Sequence, residues 1–287
     1  MNNDNAISSL SALGHPGRMS VFRLLVRRAP DWVPAGEISS ALSLKASTLS
    51  VYVSILAREG IVRSMRSGRS ILYSVDLDRF GSLLDFLARD CCRGRPEVRE
   101  PLLSRSLAAE RGEARSYNVL FVCTRNSARS IFAEAILSDL GGERFQAFSA
   151  GTEPGIAVSG HAMDVLRRMG HETGSLSPKS IHDLIEPAAP RMDFVITVCN
   201  NAANSGTPAL PGQPFVTHWG MSDPAAVEGD RETIAESFLQ TYRLLRRRLE
   251  IFTAMPIASL EPLDLQREID AIGQIDAPAT EASSPKV

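Results

Sequence analysis

Cysteine is scarce in this chain, with four among 287 residues. That is too few for a disulfide framework, and it points to a reducing compartment in which a motif-bound or paired thiol is chemical rather than structural. No apolar run approaches the ~18 residues of a membrane helix, so no membrane partner is expected. The opening MNNDNAISSL has no basic stretch followed by an apolar core. No secretion signal is therefore expected, and the expected location is cytoplasmic. Aromatic residues are only 6%, but 44% hydrophobic and 22% charged residues suffice for packed cores and exclude a mainly disordered chain. At about 150 residues per domain, the length predicts two domains.

The net charge of −2 hides an asymmetry. Residues 1–115 carry 17 Lys+Arg against 12 Asp+Glu, a net of +5, and the remainder is at −7. A basic front suggests a polyanion partner, nucleic acid first, although chance surface charge would look the same.

The front reads as short helices and a hairpin. Ile7, Leu10 and Leu13 recur at helical spacing, and Pro16 opens a second helix carrying Met19, Phe22, Leu24, Leu25 and Val26. Residues 36–43 predict a third helix, and ASTLSVYVSILAREG a fourth that Gly60 stops. Two helices across a short turn match the helix-turn-helix pattern. VRSMRSGRSILYSV follows, predicting a hairpin about Ser67-Gly68 with Arg63, Arg66 and Arg69 placed for phosphate contact. Residues 76–92 predict another helix, with Leu77, Phe80, Leu84 and Leu87 as a dimer stripe. Residues 93–116 are charged and proline-containing and read as a linker, with one short helix at 101–111.

From Tyr117 strands and helices alternate. NVLFV, FQAFSA, DFVITV and PFVTHW are strand candidates, and helices are expected at 128–140, 157–169, 179–186, about 231–254 and 259–273. The order implies an α/β doubly wound four-stranded parallel sheet with its site at the carboxyl ends of the strands. The segment after this domain, 256–287, is read as a last helix and a disordered tail.

Cys123-Thr-Arg-Asn-Ser-Ala-Arg129-Ser130 lies between the first of those strands and a helix. A cysteine, five residues and an arginine let the backbone wrap a tetrahedral oxyanion, with Thr124, Arg125, Asn126, Ser127 and Ala128 as the cradle. Arg129 adds a two-pronged contact, and the positive field is expected to depress the Cys123 pKa. Ser130 can donate to the thiolate, and Asn126 is expected to brace the loop. Such a loop binds phosphate, arsenate or sulfate, and can attack the first two.

CTRNSARS, FSAGTEP, TVCNNAAN and THWGMSDPA, in this order, resemble the arsenate reductase branch of the low-molecular-weight protein tyrosine phosphatase fold over about 117–255. The resemblance implies Cys123 as nucleophile, Arg129 as clamp, Asp223 as general acid, and Cys199 as the thiol that forms a disulfide with Cys123 as arsenite leaves. Two departures are visible. Thr207 stands near where thioredoxin-linked relatives carry a further cysteine, and Ala128 stands where some relatives carry one. A three-cysteine relay is therefore excluded, and an external thiol system, thioredoxin or glutaredoxin with glutathione, must complete the cycle. No redox cofactor is called for, since thiols carry the electrons.

LGHPGRMSVFRLL, STLSVYVSILAREGIV and RSGRSILYSV make the front domain, 1–92, similar over about residues 6–92 to the ArsR/SmtB family of winged helix-turn-helix repressors. That resemblance implies a homodimer on operator DNA, with Ser47, Thr48, Ser50, Val51 and Tyr52 facing the groove. Cys91-Cys92 then reads as a site for trivalent arsenic, arsenite or an organoarsenical, as inducer. Val98 and Arg99 occupy the stretch where relatives often carry a third thiol. Two incidental thiols at a helix end are the competing reading. The whole predicts an arsenic-responsive repressor fused to an arsenate reductase. The alternatives are a phosphatase fused to a regulator and a non-catalytic oxyanion-sensing repressor.

Overall fold

The computed structural model describes residues 1–93, 95, 116–186, 189–208, 210 and 214–276. Most of the expected linker, with its helix at 101–111 and with Val98 and Arg99, lies outside the described residues, as does the tail from residue 277. The chain divides into two compact units, whose described residues are 1–93 with 95, and those from 116 to 276.

In the first unit, α1 (Asn3–Leu13) and α2 (Pro16–Arg28) precede a short strand β1 (Val33–Pro34) and α3 (Ala35–Ala41). Pro16 sits at the start of α2, where its missing N–H costs nothing, and the His15 ring nitrogen caps Gly17 N at 3.1 Å. Helix α4 (Ala46–Arg58) buries Leu49, Val53 and Leu56 against α2 and α3, and Gly60 follows at φ +72°. Strands β2 (Val62–Ser67) and β3 (Ser70–Val75) form an antiparallel hairpin in which Ser67 pairs with Ser70. The turn is therefore Gly68-Arg69, one residue later than the expected one, because Gly68 takes the left-handed φ of +54°. β1 adds to β3, a pairing that a two-residue strand did not announce.

Helix α5 (Leu77–Phe86), capped by Asp76, passes into a π-helical turn at Leu87–Cys91. The expected stripe splits. Phe80 and Leu87 pack on the core, whereas Leu77 and Leu84 are exposed, and the residue buried from this helix is Leu83. Ile7 and Leu10 of α1 are also exposed, since α1 buries Ala6, Ser9, Ala12 and Leu13 instead.

The second unit holds β4 (Tyr117–Cys123), β5 (Phe145–Gly151), β6 (Phe194–Thr197) and β7 (Phe215–His218). All pair in parallel, in the order β5-β4-β6-β7. Both central strands are almost wholly buried, as continuous apolar runs require. The crossovers carry α6 (Arg129–Leu140), α7 (Gly160–Arg168) and α8 (Asn200–Ser205), followed by α9 (Arg231–Ala254) and α10 (Pro262–Gln274). The helix expected at 179–186 is only a 3-10 turn, Ile181–Leu184, closed by a Ser180–Asp183 capping box. Pro187 in the sequence disfavours helix at the residue before it. Strand order reverses on either side of β4, and Cys123 ends that strand. This is the crevice where α/β sheets hold ligands. Among the described residues no single helix is long and apolar enough to cross a membrane.

Candidate active site

The loop after β4 is fixed by its carbonyls. Those of Cys123, Thr124, Arg125 and Ser127 accept from Thr152 N (3.1 Å), Glu153 N (2.9 Å), Gly155 N (2.8 Å) and Ser159 N (2.9 Å). A trans peptide points its N–H opposite to its carbonyl, so the N–H groups of Thr124, Arg125, Asn126 and Ala128 turn the other way. That of Asn126 reaches Cys123 Sγ at 3.1 Å. Gly151 makes this approach feasible, because a Cβ there would lie 2.7 Å from Thr124 O. Helix α6 begins at Arg129, so its N-terminus faces the same loop.

Asn126 organises the interior. It is fully buried with φ +50°. Its Nδ2 donates to Ser130 Oγ (2.8 Å) and Ser149 Oγ (2.7 Å), and its Oδ1 accepts from Lys179 N (2.7 Å). The Asn126 brace expected from the sequence is thus present. Ser149 Oγ donates to Glu134 Oε2 at 2.6 Å, and Lys179 Nζ lies 3.0 Å from the same carboxylate. Ser130 Oγ stands 2.9 Å from Cys123 Sγ. Glu134, Ser149 and Lys179 were absent from the sequence reading. Glu134 could have been found, since it lies one turn beyond Ser130 on the same face of α6.

Arg129 Nη2 pairs with Asp223 Oδ2 at 2.9 Å, and its Nη1 donates to Met221 O at 3.4 Å. Asp223 Oδ1 also caps the turn Pro224–Ala226 through Ala225 N. Of the loop, every residue from Cys123 to Arg129 except the inward Asn126 lines one cavity of about 540 Å³, together with Gly155–Ala157, Asp223, Ala225 and Ala226. Arg125 among these is exposed. The expected depression of the Cys123 pKa is not found. Burial pushes the thiol up, and the negative charge of Cys199 adds to that. The Ser130 hydrogen bond and the Arg129 charge act the other way and do not prevail. The motif shows the positive Arg129, but not the burial of the thiol, which folding alone creates and which dominates.

Cys199 is buried and caps α8, with its sulfur 3.5 Å from Ala202 N and 3.4 Å from Thr124 Oγ1. The segment behind it is held by His218, whose ring nitrogens meet Thr197 Oγ1 (2.8 Å) and Asn200 Oδ1 (3.2 Å). The two thiols expected to cooperate are therefore gathered around Thr124.

The other candidate residues lie in the first unit. Ser47, Ser50 and Val51 are exposed on α4 and Thr48 is half-buried. Tyr52 departs from expectation, because its ring lies over Gly17 and 5.0 Å from the His15 ring, turned onto α2. Arg66 and Arg69 are exposed at the hairpin tip, while Arg63 approaches Asp76 at 3.6 Å. Cys91 is exposed and Cys92 half-buried. Among the described residues no three His, Cys, Asp or Glu side chains gather as a metal site.

Residues 118–261 match the family model described as low molecular weight phosphotyrosine protein phosphatase. The arsenate reductase of Shouchella clausii is 33% identical over 115 residues, covering 40% of this chain and 78% of that protein. That of Halalkalibacterium halodurans is 30% identical over 135 residues, covering 47% of this chain and 93% of that protein. The solved arsenate reductase of Archaeoglobus fulgidus shares 25% identity over 48% of this chain and 99% of its own, with a TM-score of 0.38. A buried cysteine on the loop between β4 and α6, and an arginine paired with the carboxylate of an Asp-Pro, occupy the matched span, and through it the chain belongs to the low molecular weight phosphotyrosine protein phosphatase family of enzymes.

Proposed function

We propose that the second unit is a thiol-dependent arsenate reductase, and that the first is a dimeric winged helix-turn-helix repressor responding to trivalent arsenic. One observation carries the enzymatic half: a second buried cysteine, Cys199, lies 3.4 Å from the hydroxyl of the residue next to Cys123. Ester hydrolysis through Cys123 requires no second thiol. Reduction does. The Cys123 thiolate attacks arsenic and an S–As bond forms; Asp223, which gives up Arg129 to the oxyanion and carries a proton in that complex, protonates the departing hydroxide to water. The Cys199 thiolate then attacks Cys123 Sγ. An S–S bond forms, the S–As bond breaks, and its electron pair stays on arsenic, which leaves as arsenite. Thioredoxin, or glutaredoxin with glutathione, reopens the disulfide, because the chain has no further cysteine in this unit. The named activity of the relatives supports this reading.

The test is arsenite release from arsenate with each thiol system. Release that needs both Cys123 and Cys199 is expected. Hydrolysis of an aryl phosphate that survives Cys199→Ser, without arsenite release, would replace the reductase by a phosphatase. Oxyanion binding without either turnover would leave a sensor.

For the first unit, the exposed arginines at the hairpin tip and the net charge of the front support DNA binding. Exposed Ile7, Leu10, Leu77 and Leu84 on α1 and α5 support pairing with a second copy. Adjacent thiols at Cys91 and Cys92 suit a thiophilic As(III) with two exchangeable positions. Operator affinity should fall steeply with salt, and Arg66→Ala with Arg69→Ala, which removes four arginines from the dimer, should lower the salt slope by about 4. A flat slope refutes the DNA reading. Release of DNA by trivalent arsenic should vanish in Cys91→Ser.

A further inference from the structure

The family match ends at residue 261, and the next residue opens α10. This helix packs on β7, the edge strand of the sheet, and buries Leu265, Ile269 and Ile272 in the same core. Apolar contact alone would cover an edge strand. Here polar bonds converge on one short run, Val216–Gly220. Gln266 Nε2 donates to Val216 O (3.1 Å), Thr217 Oγ1 to Asp270 Oδ1 (2.7 Å), and Trp219 Nε1 to Ile269 O (2.8 Å).

Arg248 of α9 ties the two together. It is wholly buried, a costly place for a charge unless carbonyls surround it. Its guanidinium donates to Gly273 O (2.8 Å) and Ile275 O (2.8 Å) at the end of α10, where helix carbonyls lack partners. It also donates to Trp219 O (3.2 Å) and Gly220 O (3.4 Å). Gly273 is pressed so close that a Cβ would lie 2.6 Å from His218 O and 2.7 Å from Trp219 Cδ1. The clamped run leads directly into Met221, whose carbonyl receives Arg129, and then into Asp223, which pairs with Arg129.

We propose that α10 and Arg248 position the general-acid loop, so that a helix outside the family's matched span sets where Asp223 stands against Arg129. Arg248 and Gly273 are the positioning residues. The inference rests on Asp223 acting as the acid in the proposed reaction.

A double-mutant cycle in the full chain tests it. Gly273→Ala, which forces α10 off the loop, is expected to lower kcat/KM for arsenite release about tenfold to hundredfold. In an Asp223→Asn background the same change is expected to cost no more than about twofold, since its effect passes through Asp223. Equal losses in both backgrounds, or no loss in folded Gly273→Ala, would overturn the proposal. Should Gly273→Ala not fold, Thr217→Val, which removes one bond to α10, carries the same cycle. If the unaltered protein releases no arsenite, the reductase reading fails and the cycle is read on inorganic phosphate. Asp223 holds the clamp arginine, so Gly273→Ala should change the phosphate Kd at least about threefold, and not in the Asp223→Asn background. A Kd that stays unchanged in both would refute the positioning role.

Discussion

The four cysteines form two pairs of opposite construction. Cys91 and Cys92 are neighbours in sequence, exposed and half-buried, at the end of a π-helical turn. Cys123 and Cys199 are 76 positions apart, yet the fold gathers them at Thr124 with exposures of 3% and 2%. In the first pair proximity is written in the chain, and the ligand must supply everything else. In the second, proximity is a product of parallel strands β4 and β6, whose carboxyl ends deliver both thiols to one crevice. The surroundings then determine reactivity: Ser130, the Asn126 amide and Arg129 favour the thiolate, and burial opposes it.

The comparison breaks most sharply by removing one sulfur at a time. Cys123→Ser is expected to abolish arsenite release with the fold intact, while a combined Cys91→Ser and Cys92→Ser change leaves turnover within about twofold. Near-normal release from Cys123→Ser, measured with the effective thiol system, would remove the nucleophile assignment.

Next in size is Asn126→Ala. It takes one hydrogen bond each from Ser130 and Ser149, orphans the Lys179 amide, and leaves a residue with a Cβ at φ +50° without the compensating bonds. A loss of about 2–4 kcal/mol in unfolding free energy is expected. Turnover should drop further than stability explains, by about a hundredfold, because the loop no longer holds its geometry. Denaturant titration and kinetics on the same samples separate the two effects.

Alkylation sharpens the contrast between the pairs. Cys91 should react readily with iodoacetamide near neutral pH. Cys123 should react slowly there, its rate climbing as alkaline pH forms the thiolate that burial disfavours. Asp223→Asn frees the Arg129 charge and should move the Cys123 profile to lower pH. A profile that does not move would mean that the Asp223 carboxylate does not weaken the Arg129 charge at Cys123.

How much of this was readable from the chain follows the range of the interactions. The four strands were legible because buried parallel strands are unbroken apolar runs, and the loop because Cys123 and Arg129 stand between a strand and a helix. Asn126 was legible as a brace because it lies inside that motif. Its partners were not, since Ser149 and Lys179 come from other crossovers. The raised Cys123 pKa was not legible either, because Arg129 is visible in the motif whereas the burial that outweighs it is a product of the fold. Tyr52 was assigned to the groove from its place on α4, but its direction depends on the bare backbone of Gly17. The link from α10 to the run before Asp223 leaves little pattern in sequence, because all but one of its bonds, Thr217 to Asp270, end on backbone carbonyls that every residue carries.

The smallest effect concerns Lys179, and it asks whether the network around Asn126 is one unit. Glu134 is mostly buried, accepts Ser149, and is balanced by the Lys179 ammonium at 3.0 Å. Lys179→Ala leaves that carboxylate without its cation, which should cost about 1–2 kcal/mol of stability. Adding Glu134→Gln should return part of the loss, because a neutral amide needs no cation and still accepts from Ser149. The coupling read from this cycle should exceed about 0.5 kcal/mol. If the two changes instead add, the ammonium is a surface charge that happens to lie near Glu134. Lys179 would then contribute to the Asn126 network through its backbone N–H alone, which no substitution at that position except proline removes.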